Sequence, residues 1–117
     1  MSSSSIRSQL ERKRVQRVAA EKHALTARSK ESSRRSDATK ARTSAAKATN
    51  DATRKSRLRE ADRYENDANA AGKDAATWQG KASGYLNEEV RLQAALRRGS
   101  SGTDGRGPET GPGGRRI

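Results

Sequence analysis

The sequence has no cysteine, no phenylalanine and a single tryptophan, and both of its prolines, Pro108 and Pro112, lie near the C-terminus. Without cysteine, disulfides and thiol chemistry are excluded. Only 29% of the residues are apolar, and many of these are alanine, so a conventional globular core is excluded as well. No apolar stretch is long enough for a membrane span or an export signal, and we therefore expect a cytoplasmic protein.

The residues that are present favour long helices. Between Ile6 and Arg98 there is no proline, and the strong helix formers Ala, Arg, Lys, Glu and Gln dominate. Turn and capping residues cluster at 49–53, while the last part of the chain holds seven of the ten glycines. The predicted segments are a flexible N-terminus (1–5), a helix (6–48), a turn (49–53), a second helix (54–98) and a disordered tail (99–117).

Steps of three and four residues alternate along both helices, which is the heptad spacing of a coiled coil. Alanines recur at one heptad position, and larger residues recur at the other position of the second helix. The first predicted seam comprises Ile6, Leu10, Ala20, Ala24, Ala27, Ala38, Ala41 and Ala45. The second comprises Ala61, Tyr64, Ala68, Ala75, Trp78, Ala82, Tyr85, Leu92 and Leu96. We therefore predict an all-α, antiparallel two-helix coiled-coil hairpin with a disordered C-terminal tail.

Folding the chain about Asp51 brings large residues opposite small ones. Glu31 and Arg34 interrupt the seam of the first helix, and Gly72 lies in the facing stretch, so the middle of the hairpin is expected to be its weakest part. The predicted register pairs Ile6 with Leu96, Leu10 with Leu92, Lys13 with Glu89, Arg17 with Tyr85, Ala24 with Trp78, and Ala38 with Tyr64.

Five larger aliphatic residues fall outside this seam, at the open end of the hairpin: Val15, Val18, Leu25, Leu86 and Val90. Exposed apolar patches of this kind mark interaction surfaces. An isolated helical hairpin rich in alanine is also marginally stable in water, so partners are expected. The sequence thus predicts a coiled-coil interaction or oligomerisation module, either a homo-oligomer or a protein bound to another protein.

No motif for catalysis, cofactor binding or metal binding is present, and we predict a non-enzymatic protein without a cofactor. His23 is the single histidine and has no carboxylate pair at ligand spacing nearby, so a solvated or seam-edge position is expected for it. Acidic residues crowd the start of the second helix, where pairing with neighbouring arginines accounts for them.

The alternative function is nonspecific binding of nucleic acid. Residues 1–50 carry thirteen Lys and Arg against four acidic residues, and such an excess can neutralise phosphates. No aromatic residue is expected to be free for stacking on bases. A membrane contact through Ile6, Leu10 and Val18 would lack aromatic anchors, and no membrane partner is expected. The candidate phosphate contacts are Arg7, Arg12, Arg14, Arg28, Arg35 and Arg42.

Several segments resemble the coiled-coil hairpin that precedes TIR domains in bacterial proteins. They are the serine-rich start with Ser5, Ile6 and Leu10, the approach to the turn, which is rich in Ala and Lys, and the segment SRLREADR at residues 56–63. The likeness covers about residues 3–97. It implies a scaffold or oligomerisation arm of a bacterial defence or signalling system. The sequence given does not include a TIR domain, so the resemblance transfers no catalytic residue.

Overall fold

A computed structural model describes the backbone of residues 2–103 and the side chains of residues 2–99. It contains two helices, α1 (Ser3–Lys47) and α2 (Asp51–Thr103), and no strand within the described residues. Glu65, early in α2, contacts Arg42 late in α1, whereas Trp78 contacts the earlier His23. The helices are therefore antiparallel, and the predicted all-α helical hairpin is confirmed.

The first helix begins earlier than predicted because Ser2 caps it. The Ser5 amide donates a hydrogen bond to Ser2 Oγ at 3.1 Å, and the Ile6 amide donates to the Ser2 carbonyl at 3.0 Å. A serine hydroxyl at this position satisfies an amide that has no partner within the helix. The predicted flexible residues 3–5 thus form the first turn of α1.

The turn is also shorter than the predicted 49–53. Asn50, within the predicted turn, caps the second helix: its Oδ1 accepts a hydrogen bond from the Thr53 amide at 2.8 Å, and its carbonyl accepts one from the Arg54 amide at 3.1 Å. The Arg54 guanidinium donates to the Ala48 carbonyl at 3.2 Å and so satisfies an acceptor at the end of α1. Asn50 as a cap allows α2 to begin at Asp51.

At its other end, α2 continues past the predicted boundary at 98 to Thr103. Residues 99–103 are therefore helical, although the tail was predicted from 99 onward; Gly99 has open space around it and no positive backbone angle that would end a helix there. The remainder of the predicted tail, 104–117, lies outside the described residues.

The chain divides into two compact units. The turn unit is Ala19–Lys81, and the terminal unit combines Met1–Val18 with Ala82–Ile117. Among the described residues, the buried hydrophobic side chains are Ile6 and eleven alanines, with no larger residue than Ile6 among them. An alanine methyl group buries little area, so close approach of the helix backbones, rather than bulky side chains, forms the core.

Candidate functional site

The predicted seam corresponds closely to the buried positions of the turn unit. Its alanines are all buried, and so is Ala71, which continues the same spacing of three and four residues. Tyr64 and Trp78 are half-buried. The predicted seam residues buried in this unit are Ala20, Ala24, Ala27, Ala38, Ala41, Ala45, Ala61, Ala68 and Ala75.

In the terminal unit, the predicted seam residues differ in how deeply they are buried. Ile6 and Ala82 are buried, whereas the larger seam residues Leu10, Tyr85, Leu92 and Leu96 are half-buried. Leucines that remain half-exposed around a narrow seam leave apolar area available to a further partner.

A stacked pair joins the helices of the turn unit at Trp78. The His23 imidazole lies 4.2 Å from the Trp78 ring, centroid to centroid, with 23° between the planes. Lys81 Nζ lies 4.3 Å from the same ring centroid, at cation–π distance. The prediction placed Ala24 opposite Trp78, and the preceding residue, His23, makes the stacking contact, so this histidine lies at the edge of the seam.

Glu31, which interrupts the seam of the first helix, forms ion pairs with two neighbouring arginines. Glu31 accepts hydrogen bonds from Arg28 Nη1 at 2.9 Å and from Arg35 Nη2 at 3.0 Å. These two guanidiniums lower the pKa of Glu31, Arg28 contributing most. Arg34 lies 5.7 Å from the Tyr64 ring centroid. Both helices continue through this stretch, which was expected to be the weakest part of the hairpin.

The terminal unit contains a buried ion pair. Glu89 is 6% exposed, and both of its carboxylate oxygens accept hydrogen bonds from the Arg17 guanidinium. Beside it, Lys13 Nζ lies 2.7 Å from Glu88 and 5.7 Å from the Tyr85 ring centroid. The predicted register paired Lys13 with Glu89 and Arg17 with Tyr85, so the structure exchanges these partners. The two-pronged guanidinium satisfies a buried carboxylate better than an ammonium group does.

The predicted oligomer patch is largely exposed. In the terminal unit, Val15, Leu86 and Val90 are 55%, 48% and 54% exposed, and Val18 is half-buried. Leu25 belongs to the turn unit and is 71% exposed.

Three members of this patch share one side of the terminal unit. Val18, Leu86 and Val90 each follow a seam residue directly in sequence, namely Arg17, Tyr85 and Glu89. One residue further along a helix is a rotation of about 100°. Because the two helices are antiparallel, that rotation turns all three residues toward the same side of the pair. Val15 lies three residues before Val18 and is therefore its neighbour on the surface of α1. We call these four residues the aliphatic face.

Most of the predicted phosphate contacts are engaged with carboxylates. Arg14 binds Glu11, and Arg28, Arg35 and Arg42 each bind a glutamate of their own unit. The bond to Arg14 lowers the pKa of Glu11. Arg7 and Arg12 are exposed and have no ion pair among the described residues. The pairs of Arg14 and Arg28 lie within α1 at a spacing of three residues, which the sequence shows, whereas the bonds of Arg35 and Arg42 to Glu65 join the two helices and are not visible in a count of basic residues.

Within the described residues, no helix combines the length and apolar character needed to cross a membrane. Nor does that part of the chain contain three or more His, Cys, Asp or Glu residues grouped as metal ligands. Comparison of the chain with known protein families, with curated proteins and with solved structures finds no match in any of the three. The resemblance to the arm of TIR-domain proteins stays a prediction.

Proposed function

We propose that this chain is a non-enzymatic coiled-coil module that self-associates as a symmetric dimer through the aliphatic face of its terminal unit. The observation that supports the proposal is that larger aliphatic side chains are exposed while small ones form the core. Val15, Leu86 and Val90 are about half exposed, whereas the buried hydrophobic side chains among residues 2–99 are alanines with the single exception of Ile6. These three larger aliphatic side chains of the terminal unit are thus available for another surface.

The energetics favour association through these residues. Complete burial of a Val or Leu side chain contributes about 1.5–3 kcal/mol, compared with about 0.8 kcal/mol for a single methylene-sized group. The contact between the two helices therefore buries mainly alanine methyl groups, which contribute less to stability than Val or Leu side chains would. A partner that covers Leu86 and Val90 would add burial that the single hairpin does not achieve.

A second copy of the chain fits the charges around the aliphatic face. Glu11 and Arg14 form an ion pair at 2.6 Å, and each follows a seam position directly, as Val18 does. These charges therefore lie on the same side of α1 as Val18. A two-fold axis brings each surface against its own copy, so a patch that carries both signs of charge is complementary to itself.

The test is a paired charge substitution, Leu86→Glu with Val90→Glu, because both residues are exposed and outside the seam. Leu58→Glu is the control for added negative charge, because Leu58 is 45% exposed and belongs to the turn unit rather than to the aliphatic face. Multi-angle light scattering should give a dimer mass for the wild type and the control, and a monomer mass for the paired variant. Circular dichroism should show equal helicity in all three.

A wild-type chain that stays monomeric at the highest accessible concentration would contradict the proposal. So would an equal loss of association in the Leu58→Glu control, since that result would indicate a general effect of added negative charge.

The resemblance stated above supports a more specific version, in which the dimer is a scaffold arm of a bacterial defence or signalling system. Self-association of an arm brings together whatever effector it carries or recruits, which raises the local concentration of that effector. Gene neighbourhood tests this version: adjacent TIR-domain or nuclease genes would support it, and neighbours without any effector would count against it.

A further inference from the structure

Positive charge is concentrated around the turn that joins α1 and α2. Residues 40–59 contain seven Lys and Arg against a single acidic residue, a net charge of +6 from the chain total of +12. We call residues 40–59 the turn end. The rest of α1, residues 3–39, carries the same net charge of +6 over nearly twice the length, so the charge excess is densest at the turn end and there involves both helices.

Four of these cations have no carboxylate partner among the described residues. The other three, Arg42, Arg54 and Arg57, form ion pairs with Glu65, Asp51 and Glu60. The four cations that are exposed and unpaired within the described part of the chain are Lys40, Lys47, Lys55 and Arg59.

The composition of the turn end discriminates between polyanionic partners. It contains no aromatic residue and one large aliphatic residue, Leu58, so it lacks the apolar face that inserts into a membrane interface. The same lack of aromatics excludes stacking on unpaired bases. Its remaining exposed residues include Ser44, Thr49 and Ser56, whose hydroxyls, like Lys and Arg, are frequent donors to phosphate oxygens.

We propose that the turn end binds the phosphate backbone of duplex nucleic acid without sequence preference. Two antiparallel helices side by side are wider than the single helix that a major groove of about 12 Å admits, so the contacts are to phosphates rather than to base edges. Both helices contribute free cations, Lys40 and Lys47 from α1 and Lys55 and Arg59 from α2.

The strength and salt dependence of this binding follow from the number of free cations. Neutralising about four phosphates gives a slope of about −3.6 for log K against log salt, so binding should weaken about 100-fold between 50 and 200 mM salt. A dissociation constant of about 10⁻⁴ to 10⁻⁶ M at physiological salt is typical of nonspecific contacts of this kind.

The experiment compares two variants of equal net charge. The turn-end variant carries Lys40→Gln, Lys47→Gln, Lys55→Gln and Arg59→Gln. The control variant carries Arg7→Gln, Arg12→Gln, Lys22→Gln and Lys73→Gln, four cations that are also exposed and form no ion pair among the described residues. Glutamine keeps a comparable helix propensity in both. Binding to a fluorescently labelled DNA duplex of arbitrary sequence is followed by anisotropy at several salt concentrations.

The turn-end variant should lose at least tenfold in affinity and most of the salt slope, while the control stays within about threefold of the wild type. Equal losses in the two variants would overturn the proposal, because they would show that total charge rather than position decides binding. Binding to vesicles containing anionic lipid, without binding to the duplex, would overturn it as well.

This inference does not depend on the self-association proposed above. The turn-end variant should keep the dimer mass of the wild type in light scattering. The paired Leu86 and Val90 variant should keep a salt-dependent affinity for the duplex that the turn-end substitutions abolish, so failure of either proposal is recognised separately.

Discussion

The Glu31 carboxylate occupies the space that a side chain at position 72 would need. A Cβ atom added to Gly72 would lie 2.6 Å from Glu31 Oε2 and 3.2 Å from Glu31 Cδ. Atoms at the shorter distance overlap, so a side chain there requires Glu31 to move. Gly72 in α2 thus leaves room for the charged Glu31 in the seam of α1. The two residues that were expected to weaken the middle of the hairpin fit each other.

Gly72→Ala should therefore stabilise the protein less than Gly80→Ala. Alanine in a helix interior is favoured over glycine by about 0.8–1 kcal/mol, and Gly80 has open space around it. At Gly72 the same gain is offset by displacement of Glu31 from Arg28 and Arg35. Urea unfolding followed by circular dichroism measures both free energies.

A double-mutant comparison isolates the cause. In a Glu31→Ala background, the gain from Gly72→Ala should rise to that of Gly80→Ala, because no carboxylate remains to be displaced. Equal gains at the two glycines in the wild-type background would show that Glu31 moves aside without loss.

Because the pKa of Glu31 is lowered in the folded chain, we expect the stability of the protein to depend on pH. The Glu31 pKa in the folded chain is lowered from the ordinary value of 4.5 by hydrogen bonds from Arg28 and Arg35. A lowered folded-state pKa means that the stabilisation is complete above pH 4.5 and is lost as the pH falls through the folded-state value.

The melting temperatures of the wild type and of Glu31→Gln should accordingly differ by a constant amount near neutral pH and converge in acid. Glu60→Gln is a suitable control, since its pair with Arg57 joins exposed residues within one helix and is worth little. A difference between the wild type and Glu31→Gln that stays constant into acid would contradict this account.

The hairpin itself could be predicted because its cause is periodic in the sequence. Alanines spaced by a heptad, such as Ala61, Ala68 and Ala75, define one face of a helix whatever the surroundings are, and all three are buried. The absence of proline between Ile6 and Arg98 leaves both helices uninterrupted.

The partners of the long charged side chains could not be predicted in the same way. Heptad spacing predicts which backbone positions of the two helices face each other. It does not predict where a long side chain ends: the Arg17 guanidinium binds Glu89 rather than contacting Tyr85, which was expected opposite it. The same limit applies to the arginines expected to bind phosphate, of which Arg35 and Arg42 both bind Glu65. The start of α2 was predicted three residues too late for a different reason: an asparagine such as Asn50 is common both at the end and at the beginning of a helix, and the choice depends on which amides lack partners.

The buried pair of Arg17 and Glu89 should contribute more to the free energy of unfolding than the more exposed pair of Lys13 and Glu88. Removing one partner of a buried pair costs about 3–5 kcal/mol, and the partial exposure of Arg17 reduces the expected loss for Glu89→Gln to about 2–3 kcal/mol. Glu88→Gln, which affects a more exposed pair with Lys13, should cost less than about 1 kcal/mol. Urea unfolding of the two adjacent variants measures the difference, and equal losses would show that burial of Glu89 is without consequence.

His23→Ala should destabilise the hairpin by about 1 kcal/mol, because an aromatic pair contributes about 0.5–1.5 kcal/mol beyond its buried area. The His23 and Trp78 rings, 4.2 Å apart, come from different helices, so the contact exists only when the hairpin is closed. Trp78 is the single tryptophan, and its fluorescence therefore reports this contact directly during urea unfolding. His23→Phe should retain most of the stability, whereas Lys22→Ala, at the exposed neighbouring position, should change neither the midpoint nor the folded-state emission. A His23→Ala protein that unfolds with the midpoint of the wild type would show that the stacked rings do not hold the helices together.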